Sequence, residues 1–201
     1  MATSPVQVAN LALRRIGYKT EIGYLYEGTV AARAALQAYG QTRDALLRSR
    51  DWPFARQAAA LTLLKTAPVG GYGITGWTSA YPPPPWIYEY GYPSGCLEVR
   101  GLLGTPSIMP EFSPRPVLYT VATDPSVGSG EKVVLTNIPN AQAVFTAQIA
   151  DPTQWEPLFT EAMVEALGRR LAEALGANAD AVKAQFQIEQ ESAAVAAGRR
   201  G

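Results

Sequence analysis

The stretch RDWPFAR, residues 50 to 56, marks the point where the chain changes character. Before it lies a long segment with the apolar spacing of an amphipathic helix, and after it come short apolar runs separated by turns. The residue before a proline is disfavoured in the α conformation, so Pro53 predicts that the helix ends near Asp51. Trp52 and Phe54 flank this proline. We expect them to fill an interface between a helical layer and a sheet.

Two amphipathic helices are predicted before this stretch. Ser4, Pro5 and Gln7 supply an N-cap, a first-turn proline and a capping-box partner, and Gly17 closes a first helix over about 4 to 16. Thr29 is placed to cap the second helix. The stripe of that helix consists of Ala32, Leu36, Tyr39, Arg43, Leu46 and Leu47.

Arg43 is the charged member of this apolar stripe. The simpler interpretation is a stem lying along apolar surface, with the guanidinium in water or paired with a carboxylate. The alternative is a ring of arginines at a subunit junction. Arg43 therefore joins Trp52, Phe54 and Trp155 as candidates for a subunit or domain interface.

Residues 56 to 150 predict an antiparallel β insertion. The runs CLEVRGLL, VLYTVA, KVVLTN and AVFTAQI are separated by segments rich in Gly, Pro and Ser. A Pro- and Tyr-rich stretch, 68 to 92, contains four successive prolines, which fit neither a helix nor a central strand. We predict an exposed loop with a polyproline II element. It is either a long insertion packed on its own sheet or a recognition arm.

The helical period returns after Asp151-Pro152. The apolar face consists of Leu158, Phe159, Ala162, Met163, Leu167, Leu171 and Leu175. Gly176 breaks the helix before a last one, over about 179 to 197, that is poor in large apolar residues and is expected to rest on another subunit or a partner. The predicted fold class is α+β. Helices from residues 1 to 55 and 151 to 201 form one bundle, and residues 56 to 150 are a central antiparallel β insertion.

Composition narrows the possible functions. The chain has 201 residues, 47% of them hydrophobic, which indicates a globular protein. Its 17 basic and 17 acidic residues argue against a surface that coats nucleic acid. The chain has no histidine and a single cysteine, Cys96. This composition excludes an ordinary zinc site, a disulfide framework and histidine-dependent catalysis, and we expect no cofactor. The sequence has neither a membrane span nor a signal peptide pattern, so we expect synthesis in the cytoplasm and no membrane partner.

One carboxylate pair has helical spacing. Glu161 and Glu165 lie four apart, as a hydrolase of peptidoglycan or polysaccharide with two acidic residues could use them. Arg169 and Glu173 continue the same line, which favours a solvated, partly salt-bridged helix face. The sequence GYGITG follows no clear strand and opens no helix, so it does not indicate a dinucleotide site.

Residues spread over most of the chain carry a resemblance to a known family. Near the start they are Asn10, Leu11, Ala12, Leu13, Ile16, Gly17, Tyr39, Arg43, Leu47, Trp52, Phe54 and Ala55. Later they are Pro93, Cys96, Leu97, Val99, Tyr119, Asp151, Trp155, Pro157, Phe159, Ala162, Leu167, Leu171 and Ala172. Their order and spacing resemble the tail tubular protein A family, the head-to-tail adaptors (connectors) of short-tailed bacteriophages and related prophages. Two features depart from the family pattern. Gly95 stands where the family commonly has aspartate, and the loop from 70 to 86 is longer than usual.

The resemblance implies a structural virion protein without catalysis. Relatives form a dodecameric ring under the portal protein after DNA packaging, with the tail nozzle, or tubular protein B, attached below. The implied location is the virion tail, reached from the host cytoplasm during assembly. Genomic DNA would pass through the ring without specific binding.

The resemblance also assigns candidate contacts. It implies that the C-terminal segment grips the portal, and the residues there are Phe186, Glu189, Glu191, Val195, Arg199 and Arg200. The candidates for contact with the nozzle are Tyr72, Trp77, Tyr81, Trp86 and Tyr88. Two alternatives to the adaptor stay open, namely the carboxylate-dependent hydrolase and a binding module in which the loop from 70 to 92 recognises another protein.

Charge distribution fits a DNA conduit. Residues 151 to 201 hold five basic and eight acidic side chains. Repeated rings of basic side chains would hold the genome, because each phosphate that they neutralise raises the affinity for DNA and makes that affinity more dependent on salt. This acidic surplus makes the C-terminal helices the candidate lining of the channel.

Overall fold

The computed structural model describes residues 4 to 69, 76 to 104, 117 to 126 and 130 to 176. Over these residues the protein is mixed α+β, with three α-helices and two antiparallel sheets. The chain divides into two compact units. The helical unit comprises the described parts of residues 1 to 46 and 149 to 201, and the β unit comprises those of 47 to 148.

The first two helices begin where the capping signals predicted, and the third follows Asp151-Pro152, where the helical period returns. They are α1 Pro5–Arg15, α2 Val30–Ser49 and α3 Pro157–Ala174. Ser4 Oγ accepts from the Gln7 amide at 3.3 Å, and Thr29 Oγ1 accepts from the Ala32 amide at 3.2 Å. Both bonds satisfy amides that have no partner within the first helical turn.

A glycine lets α1 and α3 approach closely. A Cβ atom built at Gly168 on α3 would lie 3.4 Å from the Ala12 carbonyl oxygen and 3.7 Å from Ile16 Cγ2. The apolar side chains buried on the two helices are Val8, Ala9, Ala12, Leu13, Phe159, Met163, Val164, Leu167, Leu171 and Ala172. Apolar burial and this close approach together hold the first and last described helices against each other.

Two predicted core positions are exposed. Leu158 was expected on the apolar face of α3 and Leu36 on that of α2, yet they are 67% and 37% exposed. Each residue turns an α-helix by about 100°, so Leu158 points away from the stripe centred on Leu167. The prediction of these two positions from the apolar pattern was wrong, because an apolar residue on a helix need not face its core.

The β unit contains seven strands in two sheets. In chain order they are β1 Arg56–Ala60, β2 Leu63–Thr66, β3 Tyr88–Gly91, β4 Cys96–Leu103, β5 Tyr119–Asp124, β6 Glu131–Thr136 and β7 Gln142–Ala147. One sheet has the order β1-β7-β4 and the other β2-β3-β6-β5. All their pairs are antiparallel.

The strand prediction succeeded for β4 to β7 and missed β1 to β3. Every residue of β1, RQAAA, is exposed, so this strand has no apolar alternation. The strand β3 lies inside the stretch from 68 to 92 that was predicted as a loop, and it buries Glu89 and Tyr90. The predicted loop is therefore shorter than expected at its C-terminal end.

The proline run forms a turn. The Trp86 amide donates to the Pro83 carbonyl at 3.1 Å, and the Pro84–Pro85 peptide bond is cis. A polyproline II helix has no internal hydrogen bonds. The polyproline II prediction is therefore wrong at this point.

The opening stretch RDWPFAR connects α2 to β1 through a 3-10 turn, Pro53–Ala55. Trp52 is buried, and its ring lies 6.2 Å from that of Phe54. The Arg50 guanidinium lies 4.6 Å from the centre of the Trp52 ring, within the range of a cation–π contact. Local packing accounts for the two aromatics, and their place at an interface between layers stays a prediction.

A side chain from β4 donates hydrogen bonds to backbone carbonyls at the C-terminal end of α2. The Arg100 guanidinium donates to the carbonyls of Arg48 and Arg50 at 2.8 and 3.0 Å. The last carbonyls of a helix have no partner within it, so a cation there both fills hydrogen bonds and opposes the helix dipole.

Candidate functional site

The predicted carboxylate pair lies in a surface groove of the helical unit. The groove has a volume of about 390 Å³, and its lining residues are Leu11, Arg15, Thr160, Glu161, Val164 and Glu165. Both carboxylates reach it because they are one turn apart on α3, whereas Leu11 and Arg15 come from α1. The structure thus brings together the two acidic residues that a hydrolase would need.

A guanidinium engages one of those acids. Arg15 donates to Glu165 Oε1 at 3.0 Å, and the two side chains are 32% and 42% exposed. The sequence had suggested a line of charges along α3, but this pair joins α3 to α1. An ion pair this exposed contributes little free energy, about 0–1 kcal/mol.

Every described helix exposes a large apolar side chain. Leu11 on α1, Val30 and Leu36 on α2, and Leu158 on α3 all lie on the surface. Val30 and Leu36 are six positions apart, which places them roughly 120° apart around the helix axis. The exposed apolar surface of α2 therefore faces two directions.

Arg43 has a carboxylate partner, as the simpler of its two interpretations expects, and the subunit-junction alternative stays a prediction. Its side chain is largely buried, and Nε donates to Asp44 Oδ1 at 2.8 Å. The positive charge has a carboxylate partner within its own helix. This arrangement explains how a charged residue is accommodated in an otherwise apolar stripe.

Trp155 belongs to an aromatic cluster within the helical unit. Its ring stacks on Tyr39 at 6.4 Å and meets Phe159 edge-on at 4.9 Å, while its indole N–H donates to the Ile149 carbonyl at 3.0 Å. Burial raises the pKa of Tyr39 to about 12. These contacts link α2 to α3 and leave little of Trp155 exposed in a single chain.

A polar cluster with a buried centre and an exposed edge at Ser126, called here the Lys65 cluster, lies in the β unit. It consists of Lys65, Trp77, Glu89, Asp124 and Ser126. The ammonium group of Lys65 donates to Asp124 Oδ2, to Ser126 Oγ and, at 3.1 Å, to the Thr78 carbonyl. It also lies 3.3 Å from Glu89 Oε1. The Lys65 side chain is 7% exposed, and those of Glu89 and Asp124 are fully buried.

The pKa values of the two acids in the cluster are shifted in opposite directions. Burial raises the pKa of Glu89, and the hydrogen bonds from Trp77 and Lys65 offset this only in part. Burial also acts to raise the pKa of Asp124, but the hydrogen bonds from Lys65 and Ser126 outweigh it and lower that pKa. The hydrogen bonds thus favour the ionised form of Asp124 opposite Lys65, whereas burial favours the protonated form of Glu89.

Sequence reasoning did not single out Lys65, Glu89 or Asp124. A weak signal was present, since Glu89 stands between two tyrosines in IYEYGY, inside an otherwise apolar run. A charge at such a position is buried with a partner more often than it is left alone. The sequence does not show which partner that is.

The predicted nozzle-contact residues have different environments. The indole N–H of Trp77 donates to Glu89 Oε2 at 2.9 Å, so this ring is anchored in the Lys65 cluster. Tyr88 lies on β3 with its ring 6.1 Å from that of Tyr90. Trp86 is half-buried and Tyr81 is exposed.

Several predicted contacts lie outside the described residues. These are Tyr72 and the portal-binding candidates Phe186, Glu189, Glu191, Val195, Arg199 and Arg200, together with the helix predicted over about 179 to 197. Their assignments stay predictions.

Two further searches of the described residues concern metal ligands and membrane-spanning helices. Over its four ranges, no three His, Cys, Asp or Glu side chains are grouped to hold a metal ion. Of the three described helices, none combines the length and hydropathy needed to cross a membrane. Comparison of the chain with protein-family models and with curated protein sequences finds no match.

Proposed function

We propose that this protein is the ring-forming head-to-tail adaptor of a short-tailed bacteriophage. In this proposal, identical copies form a closed ring, dodecameric as in the family it resembles, that joins the portal protein to the tail nozzle in the virion and contributes to the DNA channel. The ring would assemble in the host cytoplasm. The resemblance of residues along most of the chain is the first support.

The arrangement of the helical unit is compatible with this role. The first and last described helices pack at Gly168, as expected if both ends of the chain build one ring wall. The proposal includes the finer fold prediction, in which these helices form a bundle and the β unit is an insertion into it. The β unit would then carry contacts towards the nozzle, and the C-terminal segment would carry those towards the portal.

One observation carries the proposal furthest, namely the apolar side chains that the helices expose. Leu11, Val30, Leu36 and Leu158 are in contact with water in the single chain. A ring of identical copies needs two different complementary surfaces on each subunit, because its contacts are head-to-tail. The two directions faced by Val30 and Leu36 are compatible with two such surfaces, and burial of each side chain would contribute about 1.5–3 kcal/mol per subunit.

The outer charges of α3 suit a surface that DNA passes. Glu161 and Glu173 are exposed, as are Arg169 and Arg170. Mixed signs on one helix give little net attraction for phosphate, so a channel lined by such helices would not retain the genome.

A matched pair of variants tests ring formation. Leu36 and Gln37 are neighbouring exposed residues on α2, and Leu36→Glu and Gln37→Glu each introduce one negative charge. We expect Leu36→Glu to abolish co-sedimentation with cognate portal rings, while Gln37→Glu binds like the unmodified protein. Circular dichroism should show both variants folded. Equal binding of the two variants would contradict the proposed subunit surface.

The groove between α1 and α3 supports a second candidate, a tail-associated hydrolase that cleaves peptidoglycan or polysaccharide. The observation in its favour is that Glu161 and Glu165 line one groove. Zymography on both polymers, with the Glu161→Gln variant as control, separates the two functions. Cleared substrate that disappears with Glu161→Gln would favour the hydrolase, and no clearing by the unmodified protein supports the adaptor.

A further inference from the structure

The Lys65 cluster brings an amine and a carboxyl group into direct contact inside the β unit. We propose that Lys65 and Asp124 form an intramolecular amide (isopeptide) bond, with Glu89 as the residue that transfers protons. This modification would be autocatalytic and does not depend on the adaptor function.

The reacting groups are held together by the fold. Lys65 Nζ donates to Asp124 Oδ2, although the two residues are 59 positions apart in the chain. They lie on β2 and at the end of β5, which are the two outer strands of one sheet. Fixing two reactants in contact gives effective concentrations far above those in solution, which accelerates a condensation that free side chains do not undergo. Burial of both side chains also limits the access of water, which would reverse the reaction.

Ser126 supplies the donors that the reaction needs at the carboxyl group. Its backbone N–H donates to Asp124 Oδ1 at 2.8 Å, and its Oγ lies 2.7 Å from the same oxygen. When an amine attacks Cγ, negative charge develops on Oδ1. The hydroxyl proton can instead go to the Thr78 carbonyl at 3.1 Å, but Oδ1 is the nearer acceptor. The backbone N–H, with the hydroxyl donating to Oδ1, stabilises the tetrahedral intermediate.

Glu89 is placed for proton transfer. Its Oε1 lies 3.3 Å from Lys65 Nζ, and its Oε2 accepts from the Trp77 indole at 2.9 Å. Apart from Lys65, Oε1 has no polar partner among the described residues, so it is directed at the reacting nitrogen. Burial raises the pKa of this carboxyl group, which favours the protonated form that a general acid requires.

The step balances without any further reactant. Transfer of one proton from Lys65 Nζ to Asp124 Oδ2 converts the ion pair into a neutral amine and a neutral acid. The amine lone pair attacks Cγ and forms the C–N bond. Glu89 then gives its proton to the departing Oδ2 hydroxyl and takes one from the nitrogen, so it ends as it began. The C–Oδ2 bond breaks, one water molecule leaves, and nothing is oxidised or reduced.

Intact-mass spectrometry of the purified, denatured full chain tests the proposal directly. We expect a mass lower than that of the sequence by one water molecule, and a branched peptide joining Lys65 to Asp124 after digestion. A chain that keeps the full sequence mass, both when fresh and after prolonged incubation in the folded state, would overturn the proposal. This result needs no variant, so a folding defect cannot obscure it.

Three variants give distinct signatures. Lys65→Arg keeps the positive charge but cannot form this amide, so its mass should show no loss. Asp124→Asn should lose ammonia in place of water, because the leaving group changes. Glu89→Gln should slow bond formation by about a hundredfold or more, since the proton-transferring group is removed. Loss of water by Lys65→Arg would place the dehydration elsewhere and contradict the assignment.

Discussion

The helical unit and the β unit use charge in opposite ways. In the helical unit, Arg15 and Glu165 form an ion pair at the surface of an apolar helix contact. In the β unit, Lys65, Glu89 and Asp124 lie inside the structure and tie the two outer strands of a sheet together. A surface pair contributes little, whereas removal of one member of a buried cluster leaves an uncompensated charge. Close apolar packing thus holds α1 against α3, whereas in this sheet a buried polar network adds to an apolar core that includes Val133, Val134 and Leu135.

The largest effect is expected from removing the central charge of the buried cluster. Lys65→Met leaves the Asp124 carboxylate without its cation and prevents the proposed bond between the two residues, and we expect unfolding free energy to fall by about 3–5 kcal/mol. Lys132→Met is the control, because Lys132 is exposed and lies 5.4 Å from the Tyr92 ring, a contact worth about 0.5–1 kcal/mol. Chemical denaturation followed by circular dichroism measures both. Similar losses for the two lysines would contradict the role given to the cluster.

The stability of the helical unit should fall most when a larger side chain is introduced where α1 and α3 meet. Gly168→Val places carbon atoms against the Ala12 carbonyl and Ile16, and we expect a loss of about 1–3 kcal/mol. Gly40→Val on α2 is the control, since a Cβ atom there meets no atom within 4 Å. Thermal unfolding of both variants gives the comparison. If Gly168→Val is as stable as Gly40→Val, then α1 and α3 do not approach as closely as described.

The buried acid should give stability a distinctive pH dependence. The folded-state pKa of Glu89 is raised above its ordinary value of 4.5, so the folded chain keeps a proton that the unfolded chain releases. The stability due to this group is present below pH 4.5 and is lost as the pH rises through the raised pKa of the folded state. In chains where Asp124 is not yet joined to Lys65, its lowered pKa acts in the opposite direction, and its contribution is lost as the pH falls below 3.8.

Denaturation midpoints measured above pH 4.5 isolate the Glu89 effect. The Glu89→Gln variant cannot titrate at this position and should show a flatter profile over that range. Glu131→Gln, an exposed acid on β6, serves as control and should keep the slope of the unmodified protein. Identical slopes in all three proteins would show that Glu89 is not buried with its proton.

The smallest effect is expected at the surface pair. Glu165→Gln should change unfolding free energy by less than about 1 kcal/mol, and the difference should shrink further as salt is added. Glu161→Gln, in the same groove, is the matched control. A loss comparable to that of Lys65→Met would mean that the two units do not differ in the way described.

Local signals made the helices predictable. Ser4 and Thr29 cap α1 and α2 through bonds that span three residues, so the sequence contains the whole interaction. A proline near the start of α3 has the same local character. The exposure of Leu36 and Leu158 could not be predicted in this way, because it depends on which helix face meets a neighbour.

The Lys65 cluster was beyond prediction for a physical reason. Lys65 is adjacent to Glu89 because β2 pairs with β3, and it meets Asp124 across a sheet whose order, β2-β3-β6-β5, differs from chain order. These contacts connect residues up to 61 positions apart. Sequence spacing carries no information on such pairings until the strand order is known.

Class-averaged electron microscopy of the protein mixed with cognate portal rings tests the adaptor proposal most directly. We expect a closed ring of this protein on one face of the portal, with Gln37→Glu forming the same ring and Leu36→Glu leaving the portal bare. Portal rings that stay bare at every ratio of folded, unmodified protein would contradict the proposed function.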